Sequence, residues 1–372
     1  MGNNTIRRYD LDWLRVLVFI LLIIYHVGLF FINDQWIISN NISYSWLKFP
    51  MFFMHSWRLP LLFIISGMGT FYALNSKSGI SYVKERFIRL LLPLIFGILF
   101  IVPPQVYIQQ IVDKQFEGNY FDFWFNNFIP NLISSGKPNW NHLWFIAYLL
   151  AFSILLAPLF IYLKKKRNSF NFSLLEKIFQ KPLGFVLFLI PILLSDLFLE
   201  PLFPIKIIFK IIYSNLIYIL FFLYGFILMT IKDIFWKVVL KKRFLLLSIG
   251  LTSLLIIYII DLTNYSSWKI DSILLIFKSL HVWTLVLSLF GFAAKYLNNN
   301  SKILNYANKA VYPFYILHQT MIIIIGYYIK DVNLNGITKF SIMTFFTFFS
   351  CWIIYEFIIR KSNIVRPLFG VK

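Results

Sequence analysis

Long apolar runs recur along the whole chain, and each is close to the length needed to cross a bilayer. A transmembrane helix needs about 20 predominantly apolar residues. The connecting segments between the runs hold most of the charged residues. The pattern predicts an all-α membrane protein, a polytopic bundle of about ten transmembrane helices, at residues 12–33, 49–74, 87–108, 143–163, 183–200, 207–231, 244–261, 273–294, 311–329 and 339–359.

Composition agrees with that pattern and excludes a soluble domain. Of the 372 residues, 59% are hydrophobic and only 13% are charged. No composition shift, low-complexity linker or clear internal repeat divides the chain, so one membrane domain is expected over residues 1–372. The single cysteine, Cys351, excludes an intramolecular disulfide framework, and its place in the last apolar run favours a buried apolar role.

The distribution of charge predicts the orientation of the helices. With the N-terminus in the cytoplasm, the inside segments hold 24 of the 35 Lys and Arg residues and the outside segments hold ten. Acidic residues show the reverse distribution. The positive-inside rule therefore predicts that both termini are cytoplasmic. The expected location of this multi-pass protein is the plasma (inner) membrane. Orientation also explains the net charge of +20, so no nucleic-acid partner is expected.

Three ionisable residues interrupt the first apolar run, LDWLRVLVFILLIIYHVGLFF. Arg15 and His26 are eleven positions apart, which turns an α-helix by about 1100° and leaves both on one face. Asp12 precedes Arg15 by three positions, so its carboxylate is expected beside the guanidinium. Ionisable groups at membrane depth are costly and usually mark a polar cavity or a functional site. This run therefore predicts chemistry or transport inside the membrane.

Further ionisable side chains fall in or beside later runs, namely His55, Arg58, His142, His281 and His318. His26, His55 and His142 fall in the outer half of the predicted topology, and one interpretation is a polar chamber that opens outward. The other is that each histidine forms a hydrogen bond between helices and serves packing alone. For His281 the packing interpretation is favoured, whereas for His26, with Arg15 and Asp12 on its own face, the functional one is favoured.

The residue types in the first run suit proton transfer. Histidine titrates near neutrality and can act as a general base. Arginine keeps its proton, so Arg15 is a candidate for a fixed positive group that orients a donor or stabilises developing negative charge. Asp12 is expected to neutralise Arg15 and to hold its direction. We predict His26, Arg15 and Asp12 as the catalytic residues.

A second basic group lies at the start of the third run, in YVKERFIRLLLP. Lys84, Arg86 and Arg89 are expected at the N-terminus of a helix, where free backbone N–H groups favour anions. A phosphate-bearing cytosolic ligand fits this group. The alternative is that the three side chains anchor the helix to lipid head groups, as positive-inside placement predicts.

The longest outside connection spans residues 109–141 and is rich in aromatic residues, Asn and Pro. Trp and Tyr favour the membrane interface, so one prediction is an amphipathic segment on the outer surface. The other is a lid for a sugar-like ligand.

Taken together, these segments resemble the acyltransferase-3 family of integral membrane acyltransferases. The resemblance is in RRYDLDWLRVLVFILLIIYH, RLPLLFIISGM, KERFIRLLLP, HLWFIAYLL and VYPFYILHQ, and it covers nearly the whole chain. The chain looks closest to the branch similar to glucan-modifying succinyltransferases. One departure is that some branches have a glutamate shortly after the Trp of the fourth span, where this chain has Tyr148.

The resemblance implies transfer of an acyl group from acyl-CoA, as a cytoplasmic co-substrate, to a hydroxyl of cell-envelope carbohydrate or glycolipid. His26 is then the catalytic histidine, Arg15 its partner, and Arg86, Arg89 and Lys84 the donor-binding residues. His55, Arg58, His142 and His318 are the candidates for the acceptor site or cavity. The expected partners are acyl-CoA, the carbohydrate or glycolipid acceptor and the lipid bilayer. No bound cofactor and no metal are expected.

Two other functions remain as alternatives. A proton-coupled transporter or flippase places relay residues at mid-membrane, and His26, Arg15 and Asp12 fit such a relay. The concentration of intramembrane polar residues in the first two runs, without paired broken helices, weighs against it. A non-catalytic sensor or assembly subunit is the weaker alternative.

Overall fold

The computed structural model describes residues 7–32, 36–135, 139–166, 172–199, 207–263 and 267–371, with side chains at all of them except 196–199, 207–214 and 268. Within these ranges the regular elements are helices and no strand occurs, which confirms the predicted all-α class. The helices are α1 (Tyr9–Leu29), α2 (Lys48–Ser76), α3 (Gly79–Val112), α4 (residues 120–135), α5 (Asn141–Leu155), α6 (Ala157–Lys165), α7 (Ser173–Gln180), α8 (Leu189–Leu199), α9 (Ile207–Thr230), α10 (Lys232–Leu262), α11 (Trp268–Tyr296), α12 (Lys302–Ile329), α13 (Gly336–Ile359) and α14 (Val365–Leu368).

Seven helices of the described part are long and apolar enough to cross a membrane, namely α1, α2, α3, α10, α11, α12 and α13. Helices α5 and α6, bent by 45° at their junction, form an eighth span if they are counted together. Shorter apolar helices at Gly184–Ser195 and Asn215–Thr230 coincide with the fifth and sixth predicted runs. Position 33 of the first run, position 200 of the fifth and positions 136–138 of the long connection lie outside the described residues.

Helix α3 shows how a proline shapes the third run. Its backbone forms π-helical turns at Phe87–Leu91 and Gly97–Ile101, directly before Pro103. Pro103 has no N–H and cannot donate to the carbonyl of Leu99, four residues earlier. That carbonyl instead accepts a hydrogen bond of 3.0 Å from the indole Nε1 of Trp124. The proline therefore creates the acceptor that fastens α4 to α3.

Helix α4 forms most of the aromatic connection that was predicted as an interfacial segment or a lid. Phe123 and Phe128 are buried, whereas Phe121, Phe125 and Ile133 are more than 60% exposed. The three exposed residues are spaced by multiples of four and lie close to one helical face. An exposed apolar stripe of this kind is typical of a helix that lies in the membrane interface.

The chain divides into two compact units, each assembled from separate stretches of sequence. The first contains the chain up to Arg15, Ser56–Tyr82 and Phe152–Ser301. The second contains Val16–His55, Val83–Ala151 and the chain from Lys302 onward.

In the first unit, two glycines let helices α2 and α9 approach closely. A Cβ atom on Gly67 would lie 2.0 Å from the carbonyl oxygen of Phe222, and one on Gly225 would lie 2.1 Å from that of Ile64. Small residues permit such contacts in membrane proteins, where packing rather than water exclusion holds helices together. Gly67 of the RLPLLFIISGM motif therefore serves helix packing.

In the second unit, an apolar core lies beside the histidines of α1 and α12. Val27 and Phe30 of α1 pack in one cluster with Ile322 and Ile323 of α12 and Met343 of α13, and all five are fully buried. Because the α1 and α12 members of this cluster follow His26 and His318 by one to five positions, tight packing of the core limits the freedom of both backbones.

Candidate active site

Helix α1 brings His26 against a second histidine in the second unit. His26 is half-buried near the C-terminal end of α1. Its Nδ1 atom lies 2.9 Å from Nε2 of His318, which projects from the middle of α12, and the ring centroids are 5.0 Å apart. Two residues that are 292 positions apart therefore share one hydrogen bond.

His318 is oriented by its own helix. The side chain is fully buried, and its Nδ1 donates a hydrogen bond of 2.6 Å to the carbonyl oxygen of Tyr315, one turn earlier. Because a carbonyl oxygen accepts hydrogen bonds and donates none, the proton of this bond belongs to Nδ1 of His318.

His142 joins the same group from the start of α5. It is 5% exposed, and its Nε2 donates to the carbonyl oxygen of Ile316 at 2.9 Å. The hydroxyl of Tyr315 donates to the backbone carbonyl of His142. The rings of His142 and His318 are perpendicular, with centroids 5.1 Å apart. We call His26, His142 and His318 the histidine cluster.

Two aromatic side chains, Tyr25 and Trp36, contact the ring of His26. The hydroxyl of Tyr25 and Nδ1 of His55 share a hydrogen bond of 3.2 Å, and their rings are stacked at 5.7 Å. The indole of Trp36 is nearly parallel to the His26 ring at a centroid distance of 6.4 Å. His55 is exposed and contacts the histidine cluster through Tyr25, which packs edge-on against His26.

A network of amides, which sequence reasoning missed, holds the segments that carry the histidines. Gln105 is fully buried, and its Oε1 accepts hydrogen bonds from Asn141 Nδ2 at 2.9 Å and Gln319 Nε2 at 3.1 Å. Its Nε2 donates to Thr320 Oγ1 at 2.8 Å. Asn141 directly precedes His142, and Gln319 directly follows His318. The signal that could have found Gln105 is a polar amide inside an otherwise apolar run.

Arg15 and Asp12 lie together at the start of α1, as their spacing predicts. Asp12 Oδ1 is 3.6 Å from Arg15 Nη1, while Oδ2 accepts hydrogen bonds of 3.0 and 2.8 Å from Arg7 Nε and Nη2. Asp12 is therefore shared by two guanidinium groups. These residues belong to the first unit, whereas His26 belongs to the second, and α1 runs through both.

The predicted donor-binding residues lie in the second unit, but the helix around them differs from the prediction. Helix α3 begins at Gly79, so Arg86 and Arg89 lie beyond the free N–H groups of its first turn. The expectation of a helix N-terminus at these arginines is wrong, because the apolar run begins well after the helix does.

The basic side chains themselves differ in their surroundings. Arg89 Nε is 3.5 Å from Glu85 Oε1, and Lys84 is exposed.

Two tyrosines of α12 lie between Arg89 and the histidine cluster. Tyr312 donates from its hydroxyl to the Arg89 carbonyl oxygen at 3.4 Å. Its ring is nearly parallel to that of Tyr315, at a centroid distance of 6.4 Å. Tyr315 in turn contacts His142 and His318. The second unit thus connects a basic region to the histidines through one face of α12.

The remaining predicted residues lie in the first unit. Arg58 is 2% exposed on α2. His281 on α11 donates from Nδ1 to the Gly250 carbonyl oxygen at 2.8 Å, and its Nε2 accepts a hydrogen bond of 3.1 Å from Ser56. These bonds join three helices, which is the packing role predicted for His281.

The chemistry available in the second unit is proton transfer. Imidazole rings can accept, hold and return a proton near neutral pH. Within the described ranges, no group of three or more His, Cys, Asp or Glu side chains is arranged to hold a metal ion.

Comparison with known proteins supplies the reaction class. The family model described as "Acyltransferase domain", that of the acyltransferase-3 family, matches residues 8–356. Proteins named Glucans biosynthesis protein C from Salmonella paratyphi B, Salmonella agona and Salmonella enteritidis are each 24% identical to this chain over 380 residues, covering 95% of this chain and 92% of theirs. No solved structure matches the chain. Because the family model covers nearly the whole sequence, the chain belongs to the acyltransferase-3 family and is an acyltransferase.

Proposed function

We propose that this chain moves an acyl group from a cytoplasmic acyl-CoA to a hydroxyl of an extracytoplasmic or lipid-linked carbohydrate. The observation that carries the proposal is the contact between His26 and His318 at 2.9 Å, within a chain of the acyltransferase-3 family. The carbohydrate acceptor is supported by the name of the relatives, which refers to the biosynthesis of glucans.

The proposed arrangement has about ten spans in the plasma (inner) membrane. Both termini lie in the cytoplasm. Seven long apolar helices, one bent pair and two shorter apolar helices together make ten segments. The excess of Lys and Arg in alternate connections supports the orientation. The acyl donor then enters from the basic side and the carbohydrate arrives from the opposite side.

In the proposed reaction, His26 is the general base. It removes the proton from the acceptor hydroxyl while the hydroxyl oxygen attacks the thioester carbonyl of the donor. The new C–O bond forms, the C–S bond breaks, and the leaving CoA thiolate takes the proton back from His26. General-base catalysis of this kind contributes roughly 10²–10⁴-fold in rate.

The donor is proposed to bind along α3 and α12. Arg86, Arg89 and Lys84 are the candidates for binding the CoA phosphates, because guanidinium groups pair well with phosphate oxygens. Tyr312 and Tyr315 continue from Arg89 toward His318. From Tyr312 to His318 the helix rises by about 9 Å. This face of α12 is therefore a track for the thioester arm of the donor.

The acceptor is proposed to approach His26 past Tyr25, Trp36 and His55. Aromatic rings present apolar faces with polar edges, and His55 is exposed beside them. Arg15, kept in place by Asp12, is proposed as the fixed positive group of α1. His142 is proposed as a buried member of the cavity wall rather than as a proton carrier, since it is only 5% exposed and its Nε2 donates to the Ile316 carbonyl oxygen.

The test compares envelope glycans from cells that produce the wild-type chain, His26→Gln or Arg15→Gln. We expect the glycans of wild-type cells to gain the mass of an acyl group, and those of both variants to lack it. His281→Gln and Arg7→Gln are the matched controls, because they remove a buried histidine and a second guanidinium partner of Asp12 outside the proposed chemistry. Both controls should retain the mass shift.

Membrane-fraction abundance of each variant must equal that of the wild type. A normal mass shift with His26→Gln would contradict the proposed mechanism. Glycans that change compartment without gaining mass would instead indicate the transporter or flippase alternative.

A further inference from the structure

The hydrogen bonds of His318 determine which nitrogen of each imidazole carries its proton. The Tyr315 carbonyl oxygen accepts from Nδ1 of His318, so that nitrogen is protonated. In a neutral His318 the other nitrogen, Nε2, then has a lone pair and can only accept. The atom 2.9 Å from it is Nδ1 of His26, which must therefore donate.

We infer that His318 is a positioning residue that holds His26 as its Nδ1–H tautomer and leaves Nε2 of His26 as the atom that removes the acceptor proton. This inference rests on the proposed function for its chemistry, although the tautomer itself can be measured without turnover. The groups form a hydrogen-bonded series that runs from the Tyr315 carbonyl oxygen through His318 and His26 to the acceptor hydroxyl.

The same bond becomes stronger during the reaction. When Nε2 of His26 takes the proton, the ring becomes an imidazolium whose Nδ1–H still points at Nε2 of His318. Hydrogen bonds with a charged donor are roughly twice as strong as neutral ones. His318 therefore stabilises the protonated base at the moment when it forms, which is the role that an orienting group has in catalytic triads.

Burial supports this role. His318 is fully buried, whereas His26 is half-buried, so the inner ring is held by the protein and the outer ring is the one that faces a substrate. His318 is further restrained by its neighbours Gln319 and Thr320, both of which form hydrogen bonds with Gln105. A base that is held in one tautomer needs no rearrangement before it reacts.

The experiment uses the full chain, purified and reconstituted in lipid nanodiscs, with its histidines labelled with ¹⁵N. Nitrogen-15 chemical shifts distinguish the two neutral tautomers, and the signals of His26 are identified by their loss in His26→Gln. In the wild type we expect Nδ1 of His26 to be protonated and Nε2 to be unprotonated. In His318→Leu, which has no acceptor, we expect a mixture of tautomers.

His318→Gln is the conservative variant, because its amide oxygen can accept from His26 Nδ1. With succinyl-CoA or acetyl-CoA and a glycan extract of the cell envelope, released CoA thiol reports turnover. We expect His318→Leu to lower kcat by about 100-fold with an unchanged KM for the donor, and His318→Gln to recover at least about tenfold. His281→Leu, the matched control for loss of a buried histidine, should lower the unfolding temperature without changing kcat or the tautomer of His26.

The outcomes separate this inference from the proposed function. An unprotonated Nδ1 on His26 in the wild type would overturn the inference. A kcat equal to that of the wild type in folded His318→Leu would do the same. If the tautomer is as expected but His26→Gln turns over normally, the proposed mechanism fails while the positioning contact stands. If His318→Leu and His281→Leu lose stability and activity in parallel and the tautomer does not change, His318 has only a structural role.

Discussion

Gln105 and Asn141 are joined by a hydrogen bond of 2.9 Å between the Oε1 atom of the first and the Nδ2 atom of the second. Gln105 lies on α3, and Asn141 is the residue before His142. The same oxygen also accepts from Gln319, the residue after His318. One buried amide therefore links the two backbone segments that carry the inner histidines of the cluster.

The first prediction concerns this amide. Gln105→Leu removes the acceptor for Asn141 and Gln319, while Thr320 keeps its hydrogen bond to the Ile101 carbonyl oxygen. A buried amide N–H that loses its acceptor costs about 1–3 kcal/mol. We expect a lower unfolding temperature and a fall in kcat of about tenfold or more, because displacement of catalytic groups by about 1 Å can cost 100-fold.

Gln109→Leu is the control for Gln105→Leu. Gln109 lies one turn further along α3 and is only half-buried. The same chemical change there should leave kcat within about twofold of the wild type, as expected for a position that is not fully buried. Equal losses of kcat in both variants would show that the amide network does not position the histidines.

The residues that the sequence revealed share one property, which is that they interrupt the apolar pattern of a single helix. Arg15, His26 and Asp12 stand out in the first run, and helical spacing alone predicts the contact between Asp12 and Arg15. The all-α class followed from run lengths in the same way. Features of this kind depend on neighbours along the chain and need no knowledge of packing.

The partner of His26 could not be predicted in that way. His318 is 292 positions away, and only the packing of α12 against α1 brings the two rings together. Gln105 escaped notice because an amide does not titrate and attracts attention only when its burial is known. The start of α3 at Gly79 was missed because its first residues are polar, so hydropathy gave no signal there. For His318 and Gln105, tertiary packing supplied the missing information.

The second prediction tests the close contact of α2 and α9. Gly67→Ala places a methyl group 2.0 Å from the Phe222 carbonyl oxygen, so the helices must separate. Overpacking of this kind costs about 1–3 kcal/mol. We expect a lower unfolding temperature in detergent or nanodiscs.

Gly69→Ala is an internal control two residues away. A Cβ atom at Gly69 has no neighbour within 4 Å, so the substitution adds no clash. Since alanine favours the helix over glycine by up to about 1 kcal/mol, Gly69→Ala should be neutral or stabilising. If Gly67→Ala proved as stable as Gly69→Ala, the glycine contact would not be important for packing.

The third prediction concerns the donor. If Arg86 and Arg89 bind the phosphates of CoA, Arg89→Gln should raise the KM for acyl-CoA by about tenfold, since a charged hydrogen bond contributes roughly 1.5–3 kcal/mol. The kcat should change little, because these interactions are made equally in the ground state and the transition state. Lys241→Gln is the control, because Lys241 is an exposed basic residue of α10 in the first unit.

A comparison of acyl-CoA with acyl-CoA that lacks the 3′-phosphate locates the contact. If Arg89 binds that phosphate, Arg89→Gln and the wild type have the same KM for the truncated donor. Equal increases in KM for Arg89→Gln and Lys241→Gln would instead mean that the arginines act only through the general positive charge of the face that is predicted to be cytoplasmic.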